Sequence, residues 1–537
     1  MVKQGGEIMS LKIKEEVLQV ENLVGKNSVQ TVLQSSLVLP GALPSIERIV
    51  WINGEATVID IIVAEDRVIA EGYIDLQMVY LADDLEQDSA NYQVVPWPQA
   101  IAFSDYVEVI GAEPGMLGKA KLELLGIEWE LQPDQRTINV DVLTQLTALV
   151  KQQDSLTAVT GVTLVGPQKI VVNDLPLNIQ ALIGQETGKL ALQKTFTLPE
   201  NYGPMDLILE LNTQLIGIET TVTKEQIKVE GKLGVSWIYA ADTGAVYSFA
   251  ADELVPFETT VPNNTGLEDL IVVPDLRITN SATIESGKQA LTYTASLFLA
   301  VDLYQINQIR AIVDITGSSG CVVEVRKTQI QLDNYINDKT QQASAQGVLE
   351  ITDGYPPIRE ILSSKGEVQT TDYRIDEDKV ILEGTISLEI AYLAYTDEEL
   401  KPLYCKVFRN AIPFQQVIAL GGVEPGMTAD VTINIRDIRL DLINRETIEA
   451  DVVFRSTVKV SQPIQTDIVV EALEVAPPEE DPPSITYVFV QNGDTLWKLS
   501  KKYHTSLEAI LNANYWLKER EEYQLRVGDK ICIPRKS

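Results

Sequence analysis

Apolar and polar residues alternate with a period of two along much of the chain, the mark of strands with one buried face. Ile74, Leu76, Met78 and Tyr80 alternate with Tyr73, Asp75, Gln77 and Val79. The pattern predicts a strand whose first set is core and whose second set is mostly solvent. Similar alternation, rich in Val, Ile and Thr, predicts strands at 137–143, 290–297 and 447–454. Amphipathic helical stretches are scarce before residue 486, and Gly and Pro separate the runs. The body is therefore expected to be all-β, an antiparallel sandwich or barrel.

The strand pattern recurs at long range. Glu71-Gly72, Glu230-Gly231 and Glu383-Gly384 each precede an apolar alternation, and the glycines are 159 and 153 residues apart. The counterparts of the first apolar face are Leu233, Val235, Trp237 and Tyr239, then Ile386, Leu388, Ile390 and Tyr392. The same offsets carry Leu33-Gln34 and Pro40 onto Leu192-Gln193 and Pro199, and Pro44 and Ile46 onto Pro356 and Ile358. Glu113-Pro114-Gly115-Met116 returns as Glu424-Pro425-Gly426-Met427. In the middle copy Pro262-Asn263-Asn264-Thr265-Gly266 stands near that position, so the turn is kept with other residues. A unit of about 155 residues is domain-sized. Three tandem β domains, 10–166, 167–323 and 324–475, are expected, arranged as separate beads.

The end of the chain changes character. A spacer at 476–484, rich in proline and acid, favours extended polyproline geometry. The tail, 485–537, predicts a strand at 487–490 and a turn at Asn492-Gly493. Asp494 follows, placed to accept backbone N–H groups at the start of a helix bearing Leu496, Trp497, Leu499 and Tyr503. Thr505 with Glu508 has capping-box spacing and opens a second helix with Leu507, Ile510 and Leu511 on its apolar side. A turn at Val527-Gly528-Asp529 leads to a closing strand in which Ile531 and Ile533 share a face. The order is β, α, α, β, and the nearest reading of Trp497 is helix packing.

Charge divides the same way. The net charge is −34, yet nine basic residues meet six acidic ones from Ile485 onward, which makes the tail +3 and the body −37. An acidic body repels phosphate backbones and anionic lipid, so neither nucleic acid nor membrane insertion is expected. Cys321, Cys405 and Cys532 form no CxxC and no even framework, which points to a reducing compartment without a zinc or disulfide scaffold. No apolar run of secretory length follows the N-terminus and none of 18 residues occurs later, so a cytoplasmic protein is expected. His504 is the only histidine, and it falls in the turn between the two predicted helices. No Ser/His or Cys/His nucleophile system, HExxH motif, Walker loop or dinucleotide fingerprint can be assembled. No enzyme, cofactor or metal is expected.

Two resemblances join these observations. Tyr487 and Val488, the run Gly493 to Leu496, Tyr503, Asn514, Gly528, Ile531, Ile533 and Pro534 match the LysM family in type and spacing. The resemblance implies a shallow groove that in many relatives holds N-acetylglucosamine polymers. Here it would comprise Gly493, Asp494, Thr495, Leu496, Asn514, Tyr515, Trp516 and Leu517. Tyr515 replaces the Pro that often follows the Asn, and the aromatic pair suits a sugar ring or a protein pocket equally.

The Pro-x-Ile entries, the Glu-Gly strands and the Glu-Pro-Gly-Met turns resemble the clostridial SPOCS domain of spore-coat proteins. Three such units before one LysM are similar to the SipL-type spore morphogenetic proteins. That resemblance implies a mother-cell protein at the forespore surface, docking through its LysM on a coat morphogenetic ATPase and attaching the coat with other coat proteins. The alternatives are a peptidoglycan or cortex binder and a protein that self-associates by stacking its β repeats edge to edge.

Overall fold

The computed structural model describes residues 10–83, 91–165, 170–317, 322–352, 354–396, 402–475, 485–503, 505–520 and 523–534. The spacer at 476–484, Cys321 and His504 lie outside the described residues. The first unit holds six antiparallel strands, β1 (Ser10–Val38), β2 (Ile46–Ala64), β3 (Arg67–Ala82), β4 (Tyr92–Glu108), β5 (Leu117–Leu131) and β6 (Thr137–Val165). They form two sheets, β1-β6-β5 and β2-β3-β4, packed face to face over a core that includes Ile74, Leu76, Met78, Tyr80, Ile138 and Val140. The fold is a sandwich, one of the two forms, sandwich or barrel, that the alternation allowed.

The second unit adds β7 (Ile170–Thr197), β8 (Met205–Val222), β9 (Gln226–Ala241), β10 (Val246–Ala250), β11 (Val255–Pro262), β12 (Ile271–Ile284) and β13 (Ala290–Gly317). The third adds β14 (Val322–Glu350), β15 (Ile358–Asp376), β16 (Lys379–Ala394), β17 (Leu403–Ala419), β18 (Thr428–Asn444) and β19 (Thr447–Val475). Each repeats the two-sheet plan, with its own core around Trp237, Tyr239 and Tyr293 or around Ile390, Tyr392 and Phe454. The Pro262–Gly266 stretch of the middle unit does form a turn. Asn263 is buried there and its side-chain amide donates to the carbonyls of Thr223 and Leu267. In the outer units the thioether closes the turn instead, the N–H of Glu113 and of Glu424 each lying 3.4 Å from Sδ of Met116 and of Met427.

The Glu-Gly signature has a steric origin. A Cβ on Gly72 or Gly384 would lie 2.8 or 2.7 Å from the ring of Phe103 or Phe414 on the neighbouring strand and would strike the carbonyl of Thr57 or Gln369. At these two positions only hydrogen fits between the aromatic ring and the carbonyl of the adjacent strand.

The long hairpins are β1/β6, β7/β13 and β14/β19. Each carries two β-bulges at matching places, with Val24 and Thr160, Ile183 and Val313, and Ile336 and Val470 as the extra residues. Bulges add twist, which lets strands of this length coil about one another. The three hairpins come together as a stalk. Its interior takes Ala158 from the first unit, Leu177, Ile179 and Ala311 from the second, and Leu332 and Ile468 from the third. The second and third also join in one six-stranded sheet where Asn334 pairs with Ile179, and the N–H of Asn178 donates to the side-chain Oδ1 of the buried Asn334 at 2.7 Å.

Separate beads are not what forms. One apolar cluster draws on all three units at equivalent positions: Val50, Leu209 and Leu362; Val79, Ile238 and Ala391; Leu81, Ala240 and Leu393. The ring closes, because the third unit returns to the first. Arg48 donates to the carbonyl of Leu403 at 3.0 Å, and Arg409 pairs with Glu128 at 3.0 Å. The second face of β3 is therefore not mostly solvent. Val79 and Leu81 are 0 % and 1 % exposed because the other two units cover them. Apolar burial at this hub is what makes the repeats one body.

Candidate functional site

The tail folds around its own core. Strand β20 (Ile485–Phe489) pairs antiparallel with β21 (Lys530–Pro534), and helices α1 (Leu496–Lys502) and α2 (Leu507–Ala513) cover one face. Val490, Leu499, Ile510, Leu517, Ile531 and Ile533 are buried together. The β, α, α, β order holds, with a 3-10 turn at Tyr515–Glu519 after α2.

The caps differ from the sequence expectation. Thr495, not Asp494, caps α1, its hydroxyl accepting from the N–H of Lys498 at 3.1 Å. Asp494 instead accepts from the N–H of Gln491 at 2.8 Å and closes the turn in which Gly493 has φ +84°. Ser506, not Thr505, caps α2. Thr505 is buried and donates to the carbonyl of Pro534 at 2.8 Å, tying the helix start to the end of β21. Both shifts have one cause. Adjacent residues with short polar side chains compete for the same orphan N–H groups, and the tertiary fold chooses between them.

The eight expected groove residues separate into two sets. Gly493, Asp494, Thr495, Leu496, Tyr515 and Trp516 reach the surface to varying degrees, and Tyr515 is 70 % exposed. Asn514 and Leu517 do not offer side chains to a ligand, which corrects the expectation for these two. Leu517 is 0 % exposed in the core. The buried amide of Asn514 donates to the carbonyls of Ile510 and Cys532, both at 2.7 Å, and accepts from the N–H of Cys532 at 2.9 Å. It satisfies the end of α2 and clasps β21 in one residue.

A cation flanks each ring of the aromatic pair. Nζ of Lys518 lies 5.0 Å from the ring centre of Tyr515, and the guanidinium of Arg520 lies 4.7 Å from that of Trp516, both at cation–π distance. Arg520 is held in turn by Asp529, at 2.6 and 3.3 Å, and this bond with Arg520 lowers the Asp529 carboxyl below its usual range. A second exposed row, Ile485, Tyr487 and Phe489, runs along the outer face of β20, with Nζ of Lys530 4.2 Å from the ring centre of Tyr487. Sequence reasoning missed this row, although its spacing of two was visible. Trp497 also lies elsewhere than expected: it is half-buried, and its indole N–H donates to Asp314 of β13 at 2.6 Å. It packs its helix onto the stalk rather than into the module's own core.

Chemistry in the body is sparse. Among the described residues no group of three or more His, Cys, Asp or Glu side chains could hold a metal ion. A cleft of about 680 Å³ lies between the first and third units, lined in part by Trp51, Trp129, Lys365, Glu389, Cys405 and Arg409. Burial pushes the Cys405 thiol well up, and Glu389 and Glu210 add to the shift, so the thiolate a nucleophile needs is suppressed. Among the described residues no helix is long and apolar enough to cross a membrane.

Comparison with known proteins agrees with this geometry. Residues 45–132 and 357–443 match the family described as SipL, SPOCS domain, and residues 489–534 match the LysM domain. No curated protein and no solved structure matches the chain. Both SPOCS matches span the strands β2–β5 and β15–β18. The middle unit builds the equivalent strands from residues that the family model does not match.

Proposed function

We propose that this chain, a SipL-type protein in which SPOCS domains precede a C-terminal LysM domain, is a spore-envelope adaptor that docks through its LysM on a coat morphogenetic ATPase. SPOCS and LysM domains are non-catalytic binding domains, and their pairing marks a protein of the sporulation coat. In this reading the chain works in the mother cell at the forespore surface and helps attach the coat. The three units correspond to 10–166, 167–323 and 324–475, and the stalk that they share carries the LysM module through Asp314.

One observation carries the choice of a protein ligand. Lys518 and Arg520 each lie over one face of Tyr515 and of Trp516, which sets two positive charges against rings that stay exposed. The exposed ring surface and its cations form an amphipathic, positively charged anchor of the kind that seats in a protein pocket. The second reading, binding of peptidoglycan glycan chains, draws on the LysM match and on the exposed Gly493-Asp494 turn. The full chain and its Trp516→Ala variant, offered in parallel to purified coat ATPase and to peptidoglycan sacculi, separate the two. Retention on the ATPase that the substitution weakens is expected. Sedimentation with sacculi and no retention on the ATPase would reverse the assignment.

A further inference from the structure

Helix α1 reaches the stalk through two side chains one turn apart. The indole N–H of Trp497 donates to Oδ2 of Asp314 at 2.6 Å, and Nζ of Lys501 donates to Oδ1 at 2.5 Å. Positions four apart share a helix face, so an ammonium and an N–H held at that spacing converge on one carboxylate, each taking one oxygen. Asp314 follows Val313, the extra residue of the β13 bulge, and its side chain is 14 % exposed. Nζ of Lys327, on β14 of the third unit, lies 3.3 Å from the same Oδ1.

Among the described residues nothing equivalent exists on the other two hairpins. Strands β6, β13 and β19 start at Thr137, Ala290 and Thr447, which makes Gly161 and Glu471 the counterparts of Asp314. Glycine has no carboxylate, and Glu471 is taken by Arg326 of its own hairpin at 2.9 Å. The counterparts of Lys327 are the acids Glu15 and Asp174. At these equivalent positions, among the described residues, only the seam between the second and third units therefore offers a carboxylate flanked by a cation from the neighbouring unit.

We propose that Trp497 and Lys501 form a carboxylate-binding site of the LysM module, separate from the groove, which Asp314 fills in cis and the carboxylate of an acidic peptide fills when Asp314 withdraws. The contact is small and its members remain partly hydrated, Lys501 being 32 % exposed, so one carboxylate can exchange for another. Tyr515 stays exposed while α1 is docked, so the groove is open in a state where this second site is closed. The assignment does not depend on which ligand the groove takes.

A fluorescent deca-glutamate peptide, titrated against the full chain and followed by anisotropy, tests it. Asp314→Ala is expected to tighten binding about tenfold, the gain when an internal competitor that fills nine sites in ten is removed. Adding Trp497→Phe and Lys501→Gln to that variant is expected to return the affinity to the wild-type value or below. Hydrogen exchange at residues 496–502 is expected to speed up in Asp314→Ala. Asp314→Asn, which keeps the side-chain shape at the bulge, is expected to tighten binding by a smaller factor and decides the matter if the alanine variant misfolds. Equal affinity of the wild type and the Asp314 variants, or a gain that survives loss of Trp497 and Lys501, overturns the proposal.

Discussion

The hydroxyl of Tyr80 donates to the carbonyl of Pro44 at 2.9 Å, joining the end of β3 to the entry of β2. Tyr239 makes the same bond to Gly203 at 2.9 Å and Tyr392 to Pro356 at 3.1 Å. The acceptor is a backbone carbonyl, so the middle unit keeps the bond after losing the proline. That is one physical reason why a fold outlasts its sequence motif.

Loss of this bond should cost about 1 kcal/mol per site, the usual net value for a hydrogen bond to a buried carbonyl. Tyr80→Phe and Tyr392→Phe are expected to lower the urea midpoint by similar amounts. Sites this far apart in separate cores should add when combined. Denaturation of the two single variants and the double variant checks both statements.

The Glu-Gly motif should tolerate alanine unequally. Gly72→Ala and Gly384→Ala drive a methyl group into a carbonyl as well as a phenyl ring, and about 3 kcal/mol of destabilisation is expected. At Gly231 the carbonyl of Ile216 is 3.3 Å from the same point, so mainly the Phe257 ring must shift and about 1 kcal/mol is expected. A larger loss at Gly231 than at Gly72, measured by urea unfolding, would contradict the steric account.

Glu389 should make stability fall with rising pH. Burial holds its carboxyl above the usual range, with Lys365 opposing the shift and Glu210 adding to it. The folded state therefore holds its proton more tightly than the unfolded chain does. The contribution is complete below the ordinary glutamate value of 4.5 and is lost as pH rises from there through the higher folded value. Glu389→Gln is expected to raise stability at neutral pH and to flatten this part of the stability curve, with urea midpoints measured across a pH series.

Asn514→Ala is expected to act on folding first. Three bonds disappear, one to the end of α2 and two to β21, so two carbonyls and one N–H lose this partner, and the module should lose about 2–4 kcal/mol. Tyr515→Ala at the exposed neighbour should leave stability within about 0.5 kcal/mol. Proteolysis or hydrogen exchange of residues 485–534 in the full chain separates the two effects.

Period-two alternation, the recurring Glu-Gly strands and the spacing of the tail's glycines, asparagine and isoleucines determined strand placement, tandem repetition and the LysM order. These features are local, or repeat at a fixed offset, and a single chain displays them openly. Alternation reports that a face is buried and says nothing of what covers it. Val79 thus read as the outer face of a lone sandwich until two other units closed over it. The choice of Thr495 over Asp494 as a cap, the withdrawal of Asn514 and Leu517 into the core and the bond from Trp497 to Asp314 were likewise decided in three dimensions. Each depends on a partner remote in sequence or on competition between neighbouring groups, and the energy that settles it arises only when distant segments exclude water together.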